Sequence, residues 1–287
     1  MTSAANPASP GGNSSLYCWA MNDLVQLAQS GDPAALEKLL SQIAPSIQRF
    51  GARMCRNDHD ADDVLQDTLI TILRHLHEFE GRSSFTSWVF ALTRTACSRR
   101  RRGLKNQPAE PLEAAVNKDA EGPTPEQGAG SREMSHIIEE ALEELPDEYR
   151  EVILLRDVEA LTAPEAAESL GISIEALKSR LHRARQALRT ALRPVLEPTP
   201  VATPASCPDM MELWSRKLEG DLDAIDCAQM EKHLATCPSC TAACSALKTA
   251  LVACRSEASR DVSPEVQEQV RSALRTWMSQ SAFPGKA

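Results

Sequence analysis

Apolar residues recur at helical spacing through most of the chain. In "DLVQLAQSGDPAALEKLLSQI", which starts at Asp23, they return every three or four positions, and "DADDVLQDTLITILRHLHEF", which starts at Asp60, continues the pattern. Asp32 and Pro33 suit the N-cap and the first turn of a helix. Apolar and polar residues do not alternate as they do in strands, and only 4% of residues are aromatic. The sequence therefore predicts an all-α fold.

Changes in composition divide the 287 residues into three helical blocks. Residues 1–18, rich in Ser, Asn, Gly and Pro, are predicted to be a disordered tail. Residues 103–131 are typical of a flexible linker, and residues 194–206 of a Pro-rich linker. We name the remaining parts the N-terminal block (19–102), the helix-turn-helix block (132–193) and the cysteine-rich block (207–281).

The last helical segment, "SPEVQEQVRSALRTWM", has one apolar stripe. Val266, Val270, Leu274 and Trp277 share a helix face. The hypothesis is that this face packs on the N-terminal block.

The net charge of −9 argues against a protein that coats nucleic acid indiscriminately, but the basic residues are clustered. One cluster surrounds residues 94–105 and the other spans residues 178–193. The N-terminus has no signal-peptide pattern, and no eighteen apolar residues run together, so the sequence predicts a cytoplasmic protein that does not bind a membrane. Nine cysteines in such a compartment indicate metal or thiol chemistry rather than a disulfide framework.

A helix-turn-helix is predicted between Leu161 and Arg189. Thr162 and Glu165 form a capping box, Gly171 suits a left-handed turn, and Ser173 can cap the next helix. The outer side of that second helix is polar and basic, which is typical of a recognition helix; an ordinary hairpin with a solvated basic face is the alternative. The candidate DNA-binding residues are Glu175, Lys178, Ser179, Arg180, His182, Arg183 and Arg185.

The segment "ALEELPDEYREVILLRDVEALTAPEAAESLGISIEALKSRLHRAR" resembles promoter-binding region 4 of sigma-70 family transcription initiation factors, specifically the extracytoplasmic-function (ECF) group. The resemblance implies that the helix pair docks in the major groove of the upstream promoter element. It also implies that the preceding acidic helices contact RNA polymerase.

The N-terminal block is similar to region 2 of the same family over "DHDADDVLQDTLITILRHLHEFEGRSSFTSWVFALTRTACSRRRR". The resemblance implies polymerase-binding residues on one acidic helix, which are Asp62, Asp63, Gln66 and Asp67. It also implies a base-capturing loop and a set of phosphate contacts, which comprise Arg82, Ser83, Ser84, Phe85, Arg94, Thr95, Arg99, Arg100, Arg101 and Arg102. The family often carries Asn where this sequence has Thr95. Trp88 is predicted to be a core residue, because its neighbours are apolar.

The stretch "HLATCPSC" contains three metal-type ligands. His233 and Cys237 share a helix face, and Cys237 and Cys240 form a close pair that can turn onto a tetrahedral ion. Cys207, which precedes a helix, is the predicted fourth ligand. The spacing indicates Zn²⁺.

The region from Cys207 to Cys240 resembles the zinc-binding domain of anti-sigma factors, which in that family is normally a separate protein that clamps its sigma factor. Here it is attached to the same chain. Cys227, Cys244 and Cys254 are additional candidate ligands, which could build a second site for zinc, cadmium or cuprous copper, or could be buried apolar residues. A redox switch is a third possibility.

Three more cysteines precede the second linker. Cys18 and Cys55 are interpreted as core or inert, and Cys97 lies beside the basic cluster, where it could join a sensing site.

These patterns predict a monomeric alternative sigma factor that binds the RNA polymerase core, promoter DNA and a metal ion, regulated in cis by its C-terminal domain. No group of nucleophile, base and orienting residue suggests an enzyme. Two alternatives remain open: a metal-sensing helix-turn-helix regulator that acts without polymerase, and an anti-sigma or scaffold protein.

Overall fold

The computed structural model describes residues 12–55, 58–105, 136–196, 207–256 and 264–280, and within these ranges every regular element is a helix. The all-α prediction is therefore confirmed. The N-terminal block contains α1 (Gly12–Gln29), α2 (Pro33–Met54), α3 (Asp58–His75) and α4 (Phe85–Lys105). The helix-turn-helix block contains α5 (136–144), α6 (Asp147–Ile153), α7 (Ala163–Leu170) and α8 (Ile174–Leu196). The cysteine-rich block contains α9 (Met210–Glu219), α10 (Ala224–Thr236), α11 (Pro238–Ser256) and α12 (Pro264–Gln280).

The core of the N-terminal block is built on α2. The Asp32 carboxylate accepts the backbone N–H of Ala34 at 2.9 Å, and Pro33 occupies the first helical position, as its fixed φ favours. One face of α2 is buried against α1, α3 and α4. The apolar stripe of α12 enters the same core, where Val270 and Leu274 are buried. The terminal helix thus packs on the N-terminal block, as its stripe predicts.

The helix-turn-helix forms from the local signals predicted for it. Thr162 and Glu165 make a capping box, and Gly171 ends α7 in the left-handed conformation, at φ 66°. The Ser173 hydroxyl accepts the N–H of Ala176 at 3.1 Å at the start of α8. Leu177 and Leu181 are fully buried in the angle between the two helices. These predictions are confirmed.

The N-terminal and helix-turn-helix blocks share one core, although the sequence predicts two modules on a flexible linker. Phe50 and Phe90 of the first block belong to the same buried cluster as Leu142 and Val152 of the second. Arg49 and Glu159 form an ion pair across the seam at 2.8 Å. Burial of apolar surface on both sides explains the association.

The cysteine-rich block packs on α8. Leu247, Ala250 and Leu251 of α11 lie in the same buried cluster as Leu188 and Leu192 of α8. The block therefore contacts the recognition helix through α9 and α11, and the N-terminal block through α12.

Two predicted boundaries need correction. Helix α1 begins at Gly12, inside the segment 1–18 predicted to be disordered, because no proline after Pro10 interrupts helical hydrogen bonding. Helix α8 continues through Pro194 to Leu196, and Leu192 is the last residue of this helix, among the side chains that the structure describes, that is buried in the core. Most of both predicted linkers lies outside the described residues. No described helix combines the length and hydropathy needed to cross a membrane.

The buried Arg150 generates a prediction about stability. Its guanidinium donates to the carbonyl oxygens of Leu142 at 2.8 Å, Leu145 at 3.1 Å and Arg53 at 3.3 Å, so it joins α5 and α6 to the end of α2. The substitution Arg150→Ala should lower the free energy of unfolding by about 2–4 kcal/mol, because several buried acceptors lose a charged donor. Urea denaturation measures this, with the exposed Arg74→Ala as the matched control. An equal loss in both variants would contradict the role given to Arg150.

Candidate metal centre and nucleic-acid surfaces

The predicted metal ligands lie within or next to three helices of the cysteine-rich block. Asp209 caps α9, and Cys207 lies just before it. The Asp223 carboxylate caps α10 by accepting the N–H of Asp226 at 2.7 Å, and His233 lies in the last turn of that helix. Cys237 ends α10 in an extended conformation, and Cys240 follows in the first turn of α11.

The four ligand atoms lie together. All atoms that Cys207, His233, Cys237 and Cys240 can offer to a metal lie within 4.8 Å of one another. The Sγ atoms of Cys207 and Cys237 are 3.8 Å apart, and His233 Nε2 is 3.3 Å from the Sγ of Cys240. A tetrahedral ion with bonds of about 2.3 Å to sulfur separates two thiolates by about 3.8 Å. The residues therefore fit a four-coordinate metal site.

The electrostatics of the four-residue group differ from sulfur to sulfur. Burial, assisted by the thiols of Cys237 and Cys207, raises the pKa of Cys240 to about 12. The backbone N–H of Cys240 lowers the pKa of Cys237 by donating to its sulfur. Thiols must lose their protons to bind a metal, so metal binding at this group releases protons.

Of the surplus cysteines, Cys227 and Cys244 are not brought into this group. The sulfur of Cys227 lies 3.6 Å from Oε1 of Glu231, which accepts from Lys217 at 2.8 Å. Cys244 lies within α11 and is buried, and burial raises its pKa. The side chain of Cys254 lies outside the described residues. The predicted second thiolate site stays a prediction.

The predicted DNA-binding face of α8 is partly exposed and partly covered. Glu175, Ser179 and Arg183 are exposed. Lys178 is paired with Asp221, which follows α9, at 2.6 Å. His182 is half-buried, and Arg180 lies 3.9 Å from Glu148.

Arg185 does not lie on the DNA-binding face, which corrects its prediction. Its side chain is 1% exposed, and its guanidinium donates to Asp157 at 2.7 and 3.0 Å, to Glu219 at 3.0 Å and to the hydroxyl of Ser215 at 2.8 Å. Arg156 also donates to Glu219, at 3.1 Å. Burial alone would lower the pKa of Arg185, but the two carboxylates outweigh it and raise that pKa. We name this group the Arg185 cluster: Arg156, Asp157, Arg185, Ser215 and Glu219.

Sequence reasoning missed the acidic members of the Arg185 cluster. Glu219 and Ser215 belong to α9, whereas Asp157 lies in a π-helical turn after α6. One signal was available. Arg185 follows Leu181 by one helical turn and precedes Leu188 by three residues, so it shares their buried face.

In the predicted base-capturing loop, Phe85 also needs correction. It begins α4 and is 2% exposed, and its ring packs edge-on against Phe79, with the centroids 5.8 Å apart. It contributes to the core because it shares a helix face with the buried Val89. Trp88 packs partly buried against the same rings, in keeping with its predicted core role.

The other loop residues are accessible to different degrees. Arg82 is exposed and pairs with Glu80, whereas Ser83 is half-buried. The hydroxyl of Ser84 accepts the N–H of Ser87 at 3.1 Å, so it is engaged in capping α4. Thr95 is exposed.

Several arginines predicted to contact phosphates pair with acids of the chain. Arg94 lies 3.1 Å from Glu151, and Arg101 lies 2.5 Å from Asp147. Both acids belong to α6 of the helix-turn-helix block. Arg100 pairs with Asp63 of the predicted polymerase-binding set. The residues on these surfaces that remain exposed are Arg99 and Arg102 among the arginines, and Asp62, Gln66 and Asp67 in the acidic set.

Comparison with known proteins finds family matches in three parts of the chain. Three families match: "Sigma-70 region 2" over residues 39–107, "Sigma-70, region 4" over residues 135–188, and a zinc-finger family over residues 207–241. Among solved structures, that of CnrH in complex with the cytosolic domain of CnrY aligns with a TM-score of 0.48 and 24% identity, over 61% of this chain and 99% of that chain.

Curated relatives carry the same assignment. The ECF RNA polymerase sigma factor SigE of Mycolicibacterium smegmatis is 33% identical over 165 residues, which cover 56% of this chain and 63% of SigE. The ECF RNA polymerase sigma factor SigW of Bacillus subtilis is 30% identical over 175 residues, which cover 58% of this chain and 92% of SigW. The chain belongs to the extracytoplasmic-function group of sigma-70 family RNA polymerase sigma factors.

Proposed function

We propose that this sigma factor directs the RNA polymerase core to specific promoters, and that its cysteine-rich block holds it in an inactive, closed arrangement. A metal ion, most simply Zn²⁺, would maintain the shape of that block. The observation that carries the proposal is the Arg185 cluster, in which a buried arginine of the recognition helix is bound by Glu219 of the cysteine-rich block at 3.0 Å.

The contacts of α9 favour inhibition over simple attachment. Asp221 binds Lys178, one of the candidate DNA-binding residues, at 2.6 Å. A carboxylate in that position competes with DNA phosphate for the same cation. The loop after α9 therefore contacts α8 at Lys178, and DNA would compete with Asp221 at that position.

The packing of the two sigma blocks also favours a closed arrangement. Their shared core and the pairs of Arg94 and Arg101 with α6 fix the blocks against each other. Family resemblance assigns the blocks to two separate promoter elements, so we expect promoter binding to require their separation. Helices α11 and α12 of the cysteine-rich block contact different sigma blocks, which opposes that separation.

The four candidate metal ligands lie at the ends of α9, α10 and α11, so a bound ion would restrain α9. Cys207 precedes α9, His233 and Cys237 lie at the end of α10, and Cys240 begins α11. When bound, the ion supplies a four-point cross-link among three short helices. Without it, we expect α9 to loosen and Glu219 to leave Arg185. Thiolate and imidazole ligands bind zinc well, and they also suit cadmium or cuprous copper.

The first prediction concerns Glu219→Gln. This change removes one carboxylate from the Arg185 cluster and leaves the pair of Arg185 with Asp157 in place. If the substitution destabilises the closed arrangement by about 1–2 kcal/mol, the ratio of closed to open protein falls by about 5- to 30-fold. Run-off transcription by core polymerase with metal-loaded protein should therefore rise several-fold.

Glu212→Gln is the matched control, since Glu212 lies on the same helix but is exposed. Its transcription should equal that of the wild type. Equal activity of Glu219→Gln, Glu212→Gln and wild type would contradict inhibition through the Arg185 cluster.

A second prediction concerns the metal. Cys237→Ser should abolish stoichiometric metal binding, measured by elemental analysis of protein purified without oxygen, because one of four ligands is lost. The same variant should transcribe more actively than the wild type. Cys227→Ser should keep both the metal and the low activity, since Cys227 lies outside the four-residue group. Full metal content in Cys237→Ser would contradict the assigned ligand set.

A third prediction separates the sigma function from its two alternatives. A single recognition helix offers few base contacts, worth about 1–3 kcal/mol each. We therefore expect fluorescence anisotropy to show weak promoter binding by Glu219→Gln alone and selective binding once core polymerase is added. Arg183→Ala, which truncates an exposed residue of α8, should weaken the complex.

The alternatives give different results in the same assays. Tight, selective binding by the free protein would favour a helix-turn-helix regulator that acts without polymerase. Run-off transcription that is unchanged when the protein is added to core polymerase would favour an anti-sigma or scaffold protein.

A further inference from the structure

A pair of cysteines lies in the N-terminal block, far along the chain from the metal ligands. Cys55 follows the last turn of α2, and Cys97 lies within α4. Their Sγ atoms are 3.9 Å apart, and the residues are 4% and 0% exposed. The proposed sigma function uses neither thiol.

The geometry allows the two sulfurs to approach bonding distance. A disulfide has an S–S length of about 2.05 Å, so the gap must close by about 1.9 Å. Cys55 has an extended backbone, with φ −92° and ψ 157°, and therefore stands outside the regular helix. Rotation of its side chain and a small shift of the end of α2 can supply the movement, whereas Cys97 is held within α4.

The surroundings make the two thiols chemically unequal. A hydrogen bond shared with Cys97 is the main cause that lowers the pKa of Cys55. Burial and the charge of Asp60 oppose this, whereas Arg101 and Arg100 assist it. The same hydrogen bond raises the pKa of Cys97, and burial adds to the rise. The Cys55 thiol therefore loses its proton more readily than the Cys97 thiol, and the thiolate is the nucleophilic form.

The pair lies beside the seam between the two sigma blocks. Arg150 of α6 donates to the carbonyl oxygen of Arg53, two residues before Cys55, at 3.3 Å. Arg101, one turn after Cys97, lies 2.5 Å from Asp147 of α6. A change in the spacing between α2 and α4 would therefore alter both the Arg150–Arg53 hydrogen bond and the Arg101–Asp147 ion pair.

We infer that Cys55 and Cys97 form an oxidisable dithiol site whose co-substrate is a small hydroperoxide. The Cys55 thiolate attacks the peroxide, an S–O bond forms, the O–O bond breaks, and the released hydroxide is protonated to water or, for an organic peroxide, the alkoxide to an alcohol. The Cys97 thiol then attacks the sulfenic sulfur, so that an S–S bond forms, the S–O bond breaks and a second water leaves. Two electrons pass from the two thiols to one peroxide.

The test uses the full-length, metal-loaded protein and hydrogen peroxide. After graded oxidation, free thiols are alkylated under denaturing conditions and the protein is digested with trypsin without reduction. The cleavage sites place Cys55 in the peptide Met54–Arg56 and Cys97 in Thr95–Arg99. We expect mass spectrometry to detect these two peptides joined by a disulfide, and we expect reductant to separate them. Alkylation of Cys55 and of Cys97 should decrease together as the peroxide dose rises.

Two variants refine the test. Cys97→Ala should leave Cys55 as a sulfenic acid that a cyclic dione probe captures, because the second thiol is absent. Cys237→Ser should still form the linked peptide, which separates this site from the metal centre, so its result does not depend on the proposed metal regulation. Recovery of Cys55 and Cys97 as separate alkylated or sulfonic peptides, at peroxide doses that oxidise the metal-binding thiols, would overturn the inference.

Discussion

A single buried guanidinium connects the recognition helix to the block that covers it. Arg185 is 1% exposed and is bound by Asp157 from its own block and Glu219 from α9. Taking such charges out of water costs as much as their attraction returns, so the cluster contributes specificity more than stability. Its value lies in the cost of leaving it incomplete: while α9 stays in place, loss of the Glu219 carboxylate leaves the buried Arg185 with one partner fewer. An incomplete cluster is therefore less stable than a complete one, which favours a single, well-defined closed arrangement.

Covalent attachment changes what the remaining contacts must supply. An inhibitor on the same chain acts at an effective concentration set by its linker, which is commonly millimolar. Contacts too weak for a separate protein can then hold the closed state. The exposed pair of Lys178 with Asp221 is of this kind, since surface ion pairs contribute about 0–1 kcal/mol. In the proposed mechanism, a modest change, such as loss of a metal ion from the group of Cys207, His233, Cys237 and Cys240, is therefore enough to shift the balance between the closed and open arrangements.

The features predicted from sequence are those encoded within one or two helical turns. The capping box at Thr162, the turn at Gly171 and the stripe on α12 depend on neighbouring residues, so each could be predicted from a short window. The partners of Arg185 lie 28 and 34 residues away and are set by tertiary packing, which no local pattern encodes. Charge and family position predict DNA contacts for Arg185 and Phe85, but each side chain lies on the buried face that it shares with its apolar neighbours.

The two basic clusters occur in a protein with a net charge of −9, and acids of the same chain pair with several of their cations. Arg94 and Arg101 pair with acids of α6, and Lys178 pairs with an acid after α9, so several cations that promoter phosphates would bind already have partners in the closed arrangement. In the proposed opening, these cations exchange internal carboxylates for DNA phosphates. The net free energy gained on binding DNA is then only the difference between the phosphate contacts and the internal ion pairs. Both sets of pairs weaken as salt rises. In the proposed mechanism, metal binding affects only the internal pairs and not the pairs with DNA, so it is the more selective control.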